Sequence, residues 1–175
     1  MSQLKVNSII PVAGVPTGGG GGIIQVVQTT LTGAFTTTAS SPTDVTGLTA
    51  TITPTSSTSK VLATVSLGTF NNQHALKRAV INIVRGSTNV LVGDADTGVE
   101  ATAVMCTRSK DSNGPHVQIP FSYTVLDSPN TTSATTYKLQ VYATDGDTVS
   151  INRPGTRDAY SANTASTLVL MEVSA

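Results

Sequence analysis

Short runs in which apolar and polar side chains alternate recur along the chain, separated by turn residues at intervals of about ten. The first is Ile23-Ile24-Gln25-Val26-Val27-Gln28-Thr29-Thr30, dense in β-branched residues and preceded by five consecutive glycines, Gly18 to Gly22. A Thr- and Ser-rich loop then leads to Thr49-Ala50-Thr51-Ile52-Thr53, which Pro54 stops because a proline has no N–H to give to a ladder. In Lys60-Val61-Leu62-Ala63-Thr64-Val65-Ser66-Leu67, the side chains of Val61, Ala63, Val65 and Leu67 fall on one face of a strand, and that face is expected to be buried. Further strands are expected at 78–85, 88–93, 101–107, 117–126, 135–143, 148–152 and 166–173, about ten in all. Arg85-Gly86-Ser87 and Asp145-Gly146-Asp147 supply tight turns in which glycine takes the positive φ. Tyr137, Leu139 and Val141 alternate with Lys138 and Gln140, as in a sheet with one wet and one dry face. No helical period interleaves with these runs. The pattern predicts an all-β chain built as an antiparallel β-sandwich.

Composition sharpens that expectation. A chain of 175 residues with 38% hydrophobic and only 11% charged side chains is apolar enough to fold as one domain. Thr and Val are abundant while Glu, Lys and Leu are scarce, which favours pleated strands over helices. Ten basic residues are scattered and balanced by ten acids, so there is no basic stripe of the kind that tracks a phosphate backbone, and no nucleic-acid partner is expected. The single Cys106 cannot form an internal disulfide, which fits synthesis in a reducing compartment. Met1 to Lys5 lack the basic start and apolar run of a signal peptide, and no stretch approaches the ~18 apolar residues of a membrane span, so neither export nor membrane insertion is expected.

Residues 1–22 read differently from the rest. Ile9, Ile10, Pro11 and Val12 form a small apolar patch without strand alternation, and Pro16 and the glycine run follow. This is the grammar of an extended docking arm on a Gly-rich linker, with residues 23–175 as the sandwich head; the alternative is an ordinary edge strand, which the glycines disfavour.

The search for chemistry finds no catalytic, cofactor or metal constellation. The glycine run is not followed by Gly-Lys-Ser or Gly-Lys-Thr and opens a strand rather than a helix, so it is a linker and not a phosphate cradle. His74, His116 and Cys106 are far apart in the chain with no metal-ligand spacing. Asp94 and Asp96, like Asp145 and Asp147, sit beside glycines in turns and lack the ligand count of a calcium loop. No Gly-x-Ser-x-Gly elbow singles out a nucleophile, and no carboxylate pair is placed by a glycosidase motif. One polar loop stands out: 152–160 gathers Arg153, Arg157 and Tyr160 between two strands, where they could hold a glycan or an anionic surface. The blander reading is a solvated loop whose arginines pair with Asp158 or a neighbouring subunit, and the 4% aromatic content favours it. Phe70-Asn71-Asn72-Gln73-His74 is expected to form another loop at a sandwich end.

Several segments resemble a family of small bacteriophage virion proteins of tail-fibre-like type, found in phages of marine and freshwater bacteria including cyanobacteria. They are Ser2 to Pro11, the glycine run, Gly22 to Thr29, Asp44-Val45-Thr46-Gly47-Leu48, Ile52-Thr53-Pro54, Ser59-Lys60-Val61-Leu62, Leu126-Asp127-Ser128-Pro129, Thr135-Thr136-Tyr137-Lys138 and Leu170-Met171-Glu172-Val173. The resemblance covers most of the chain, and none of the motifs is catalytic. It implies a jelly-roll-like sandwich, a homotrimer, contact with other virion proteins of capsid, tail or portal-proximal type, and a location in the virion after synthesis in the host cytoplasm. Two roles follow: a tail or head fibre-like appendage touching host surface glycans through its loops, or a capsid or tail decoration protein clasped by the arm. No heptads or shaft repeats precede the head, which weighs against a long fibre.

Overall fold

A computed structural model describes residues 22–72, 78–94, 97, 105–108, 119–143, 146–154 and 162–174. Among them lie eleven strands and no membrane-spanning helix. The strands are β1 (Ile23–Leu31), β2 (Phe35–Thr37), β3 (Thr43–Ile52), β4 (Lys60–Asn72), β5 (Arg78–Arg85), β6 (Thr88–Asn89), β7 (Met105–Arg108), β8 (Ile119–Asp127), β9 (Thr135–Ala143), β10 (Val149–Ile151) and β11 (Ser166–Val173).

All pairings are antiparallel, and they nest. β1 pairs with β11, β3 with β9, β4 with β8, and β5 with β6 and β7. The chain is thus a long ribbon doubled back on itself, with the Gly86 turn, at φ +60°, near its tip. Winding that ribbon places β1-β11-β4-β8 in one sheet and β3-β9-β5 with β6 and β7 in the other. β6 and β7 share the free edge of β5, since Val84 meets Asn89 while Ile81 meets Met105. With those two as one place, and the short β2 and β10 set aside, the sheets read 1-8-3-6 and 2-7-4-5 in chain order. That is the strand order of a jelly roll. β10 extends the first sheet beyond the end of β11 by pairing with Phe70, Asn71 and Asn72 of β4, and β2 adds to β10.

The core is the dry side of the alternation seen in the sequence. Val61, Ala63, Val65 and Leu67 of β4 are buried as expected and pack with Leu168 and Leu170 of β11 against Ile81, Ile83, Tyr137, Leu139 and Val141 of the opposite sheet. Each such aliphatic side chain contributes about 1.5–3 kcal/mol through removal from water. β5 departs from simple alternation: Val80, Asn82 and Val84, on its outer side, are buried as well.

The expected strand boundaries need several corrections. The Thr- and Ser-rich stretch is not one loop, because it holds β2 and the first half of β3. Alternation fails there since β3 is bulged between Asp44 and Thr49, so that Val45 and Leu48, three residues apart, both reach the core. Gly47 makes the bulge at φ +94°, with the Leu31 side chain against it. Phe70 and Asn71 are not in a loop: they extend β4, and the Phe70 ring is fully buried. The expected strand at 88–93 is only Thr88–Asn89; those at 78–85, 135–143 and 166–173 match β5, β9 and β11, and the rest shift by one or two residues or run into positions outside the described residues.

Candidate functional site

Two polar knots, one at each end of the β1–β11 ladder, fix the places where the two sequence-predicted contact segments join the head. At one end, Ile23 stands opposite Val173; at the other, Leu31 stands opposite Ser166. A strand of this length spans about 26 Å at ~3.3 Å per residue.

The first knot lies at Gly22, the end of the segment expected from the sequence to be a docking arm and linker. Gly22 and Ser174 bond reciprocally, the Gly22 N–H donating to Ser174 Oγ at 2.9 Å and the Ser174 N–H to the Gly22 carbonyl at 3.0 Å. One step inward, Glu172 is fully buried on the inner face of β11, where the period-two series Ser166, Leu168, Leu170 puts it. No cation neutralises it among the described residues; hydrogen bonds do. Glu172 Oε1 accepts from the Thr55 N–H and from Thr55 Oγ1, both at 2.7 Å, and Oε2 accepts from Gln25 Nε2 at 2.6 Å. Gln25 Nε2 donates in addition to the Thr53 carbonyl at 2.6 Å. Burial alone pushes the Glu172 carboxyl up, but the donors of Gln25, Thr55 and Ser59 outweigh it and hold the pKa down at about 2. One carboxylate therefore ties the start of β1, the turn after β3 and the end of β11 together.

The second knot holds the root of the loop that begins at Asn152. Asn152 is fully buried at φ +60°, a backbone conformation that asparagine tolerates better than most residues. Its Nδ2 donates to the Leu31 and Gly33 carbonyls at 2.7 and 3.2 Å, and its Oδ1 accepts from Ser166 Oγ at 2.5 Å. Thr164, at the far side of the loop, donates from Oγ1 to Thr69 Oγ1 at 2.9 Å, and its N–H reaches the Asn152 carbonyl at 3.4 Å. Gly68 permits this close approach: a Cβ there would lie 2.5 Å from the Ala165 carbonyl oxygen and 2.6 Å from Thr164 Cβ. Both ends of the loop are thus clamped against β4.

A third cluster joins the two sheets on the side away from β1. Tyr137 Oη donates to Asp127 Oδ2 at 2.6 Å, and Arg85 Nε stands 3.2 Å from the same oxygen. Burial and the Asp127 carboxylate push the Tyr137 phenol well above its ordinary pKa. On the outer face of the second sheet Asp44 accepts from Lys138 and Gln140 at 2.8 and 2.7 Å, which lowers its pKa.

No protein-family model and no curated protein matches the chain.

Of the sequence-predicted contact residues, Arg153 follows the Asn152 knot directly. It is half-buried, and its Nε is enclosed without a hydrogen-bond partner among the described residues. Arg157 and Tyr160 lie outside the described residues, as do Ile9, Ile10, Pro11 and Val12 of the arm, His74 and His116. Cys106 falls in β7. Among the described residues no group of three His, Cys, Asp or Glu side chains comes together as a metal site would require. The residues that sequence reasoning passed over are Glu172, Thr55, Gln25 and Ser166. A signal for Glu172 was present, since it continues the buried register of Leu168 and Leu170.

Proposed function

We propose that the chain is a non-enzymatic structural protein of a bacteriophage particle, a tail- or head-fibre-like appendage that acts as a homo-oligomer and touches the host surface. The observation that supports this reading is the placement of the two knots. Gly22, the last residue of the expected arm and linker, and Asn152, the first of the expected contact loop, lie at opposite ends of a ladder about 26 Å long. A module built so can hold a particle at one end and present a loop at the other. The Arg153, Arg157 and Tyr160 set belongs to that loop and suits an acidic or glycan-bearing surface. Three copies and a place in the virion follow the resemblance of the sequence to tail-fibre-like proteins.

The test is adsorption: purified protein binds host cells or their lipopolysaccharide, and Arg153→Ala with Arg157→Ala weakens binding without changing the melting temperature. Absence of binding at high protein concentration refutes the host-contact role.

The Glu172 knot favours a second reading, a decoration protein that clasps capsid or tail subunits. An arm whose root is pinned by this many hydrogen bonds can carry tension. Deleting residues 1–16 then abolishes incorporation into particles while the head still folds; normal incorporation of the truncated protein refutes the clasp.

A further inference from the structure

We propose that the outer face of the β1-β11-β4-β8 sheet is where a second copy of this chain docks. The inference rests on the homo-oligomer reading and adds the surface through which the copies meet.

The register of the four strands aligns their outward residues in rows. Val26 stands opposite Met171, Met171 opposite Leu62, and Leu62 opposite Leu126, so one apolar row crosses the whole sheet. The next row is Gln28, Val169, Thr64 and Thr124, and the one after it Thr30, Thr167, Ser66 and Ser122. Of the four large hydrophobic side chains exposed among the described residues, Val26 at 56% and Leu126 at 50% lie in the apolar row, and Ile23 at 59% lies just beyond it, opposite Val173. None of the twelve side chains is charged, and the exposed Lys60, opposite Val173 in the row beyond, brings one cation to the rim of the face.

That chemistry fits a second copy better than a charged partner. Depletion of Lys, Asp and Glu is the mark of an interface core, and Met171 near the centre of the row adapts to an opposing surface. The hydroxyls of Thr and Ser both donate and accept, so a like face can satisfy them. Thr64 with Thr124, and Ser66 with Ser122, already pair in this way across strands, at 3.0 and 3.3 Å. The chain has no formal net charge, so copies approach without repulsion. With the row beyond Val26 included, in which Ile23, Val173 and Lys60 stand together, four strands at ~4.8 Å spacing and four outward rows give a footprint of roughly 19 by 27 Å. Two such faces bury on the order of 1,000 Å², the lower bound for a specific interface. Among the described residues the other sheet offers no equivalent: its outer face carries Asp44 and Lys138, and Val80, Val84 and Tyr142 on it are already covered.

The test is sedimentation equilibrium of the full chain beside three variants, each checked for strand content and melting. Wild type is expected to self-associate. Met171→Lys at the centre of the face, and Thr124→Arg on the exposed side of the edge strand β8, each weaken association about tenfold or more. Thr51→Arg, on the opposite sheet, leaves it unchanged. Thr124→Arg keeps the test decisive if Met171→Lys fails to fold. A wild type that stays monomeric at about 100 µM overturns both this inference and the homo-oligomer reading. A wild type that associates while Thr124→Arg and folded Met171→Lys associate equally well overturns the face alone, as does loss of association in Thr51→Arg.

Discussion

Replacing Glu172 by Gln tests the hydrogen-bond account of the buried carboxylate with almost no change in volume. The one remaining carbonyl oxygen can keep the Thr55 N–H and Oγ1 bonds, both 2.7 Å in the native protein. The new NH₂ group then faces Gln25 Nε2, donor against donor, across what was a 2.6 Å bond. Gln25 cannot simply rotate its amide, because Nε2 also donates to the Thr53 carbonyl and the flip would set oxygen against oxygen. One charge-assisted bond is lost, at about 1.5–3 kcal/mol, and two others become neutral, at some tenths to one kcal/mol each. The expected cost is about 2–5 kcal/mol at pH 7. For a domain of this size each kcal/mol moves the melting temperature by about 2–4 °C, so a fall of about 4–20 °C is expected in a calorimetric scan. The pH dependence gives a second readout. The folded pKa of about 2 lies below the reference value of 4.5, so the carboxylate stabilises the fold above pH 4.5 and loses that contribution as pH falls toward 2. The gap between wild type and Glu172→Gln therefore closes over that window. Equal melting temperatures at pH 7, or a gap that stays constant down to pH 2.5, would refute the reasoning.

Other perturbations probe other parts of the structure. Val65→Asp places an unpaired charge in the fully buried face of β4 and is expected to cost several kcal/mol in urea denaturation; unchanged stability would mean the core face is wrongly assigned. Gly68→Ala drives a Cβ to within 2.5–2.6 Å of Ala165 and Thr164, and is expected to destabilise by about 1–3 kcal/mol and to loosen amide-exchange protection at Thr164. Protection equal to wild type would show that the loop root does not rely on that close approach. Tyr137→Phe removes the bond to Asp127 and is expected to cost about 1 kcal/mol in urea at pH 7. The raised pKa means wild type loses stability as pH rises above 10, where the unfolded phenol ionises, and Tyr137→Phe should lose less; identical alkaline profiles would remove Tyr137 as the cause.

The sandwich was legible where burial is one-sided. In β4, β9 and β11 a polar outward face alternates with an apolar inward one; the spans of β9 and β11 follow from the sequence to the residue, and so does the start of β4. Legibility fails where a second influence enters. β3 is bulged at Gly47, so its first half lost the period that marks a strand. β2 has three residues and exists because β10 offers it a partner, which no local pattern announces. Phe70 and Asn71 read as loop because Asn is a turn former, yet pairing with β10 and β8 keeps them extended. The nesting order of the strands is a long-range property, and only the resemblance to virion proteins suggested a jelly roll. Of the candidate contact segment that starts at Asn152, residues 155–161 lie outside the described residues. The clamps at its root were not legible, because Ser166, Gly68 and Leu31 come together only once the sheets form.

The most direct test of the proposed virion role is electron microscopy of phage particles assembled in cells that express the chain with a C-terminal epitope, decorated by antibody. The expected result is label at fixed, symmetry-related positions on the particle surface. Label confined to the soluble fraction of the lysate, with bare particles, would contradict a structural role in the virion.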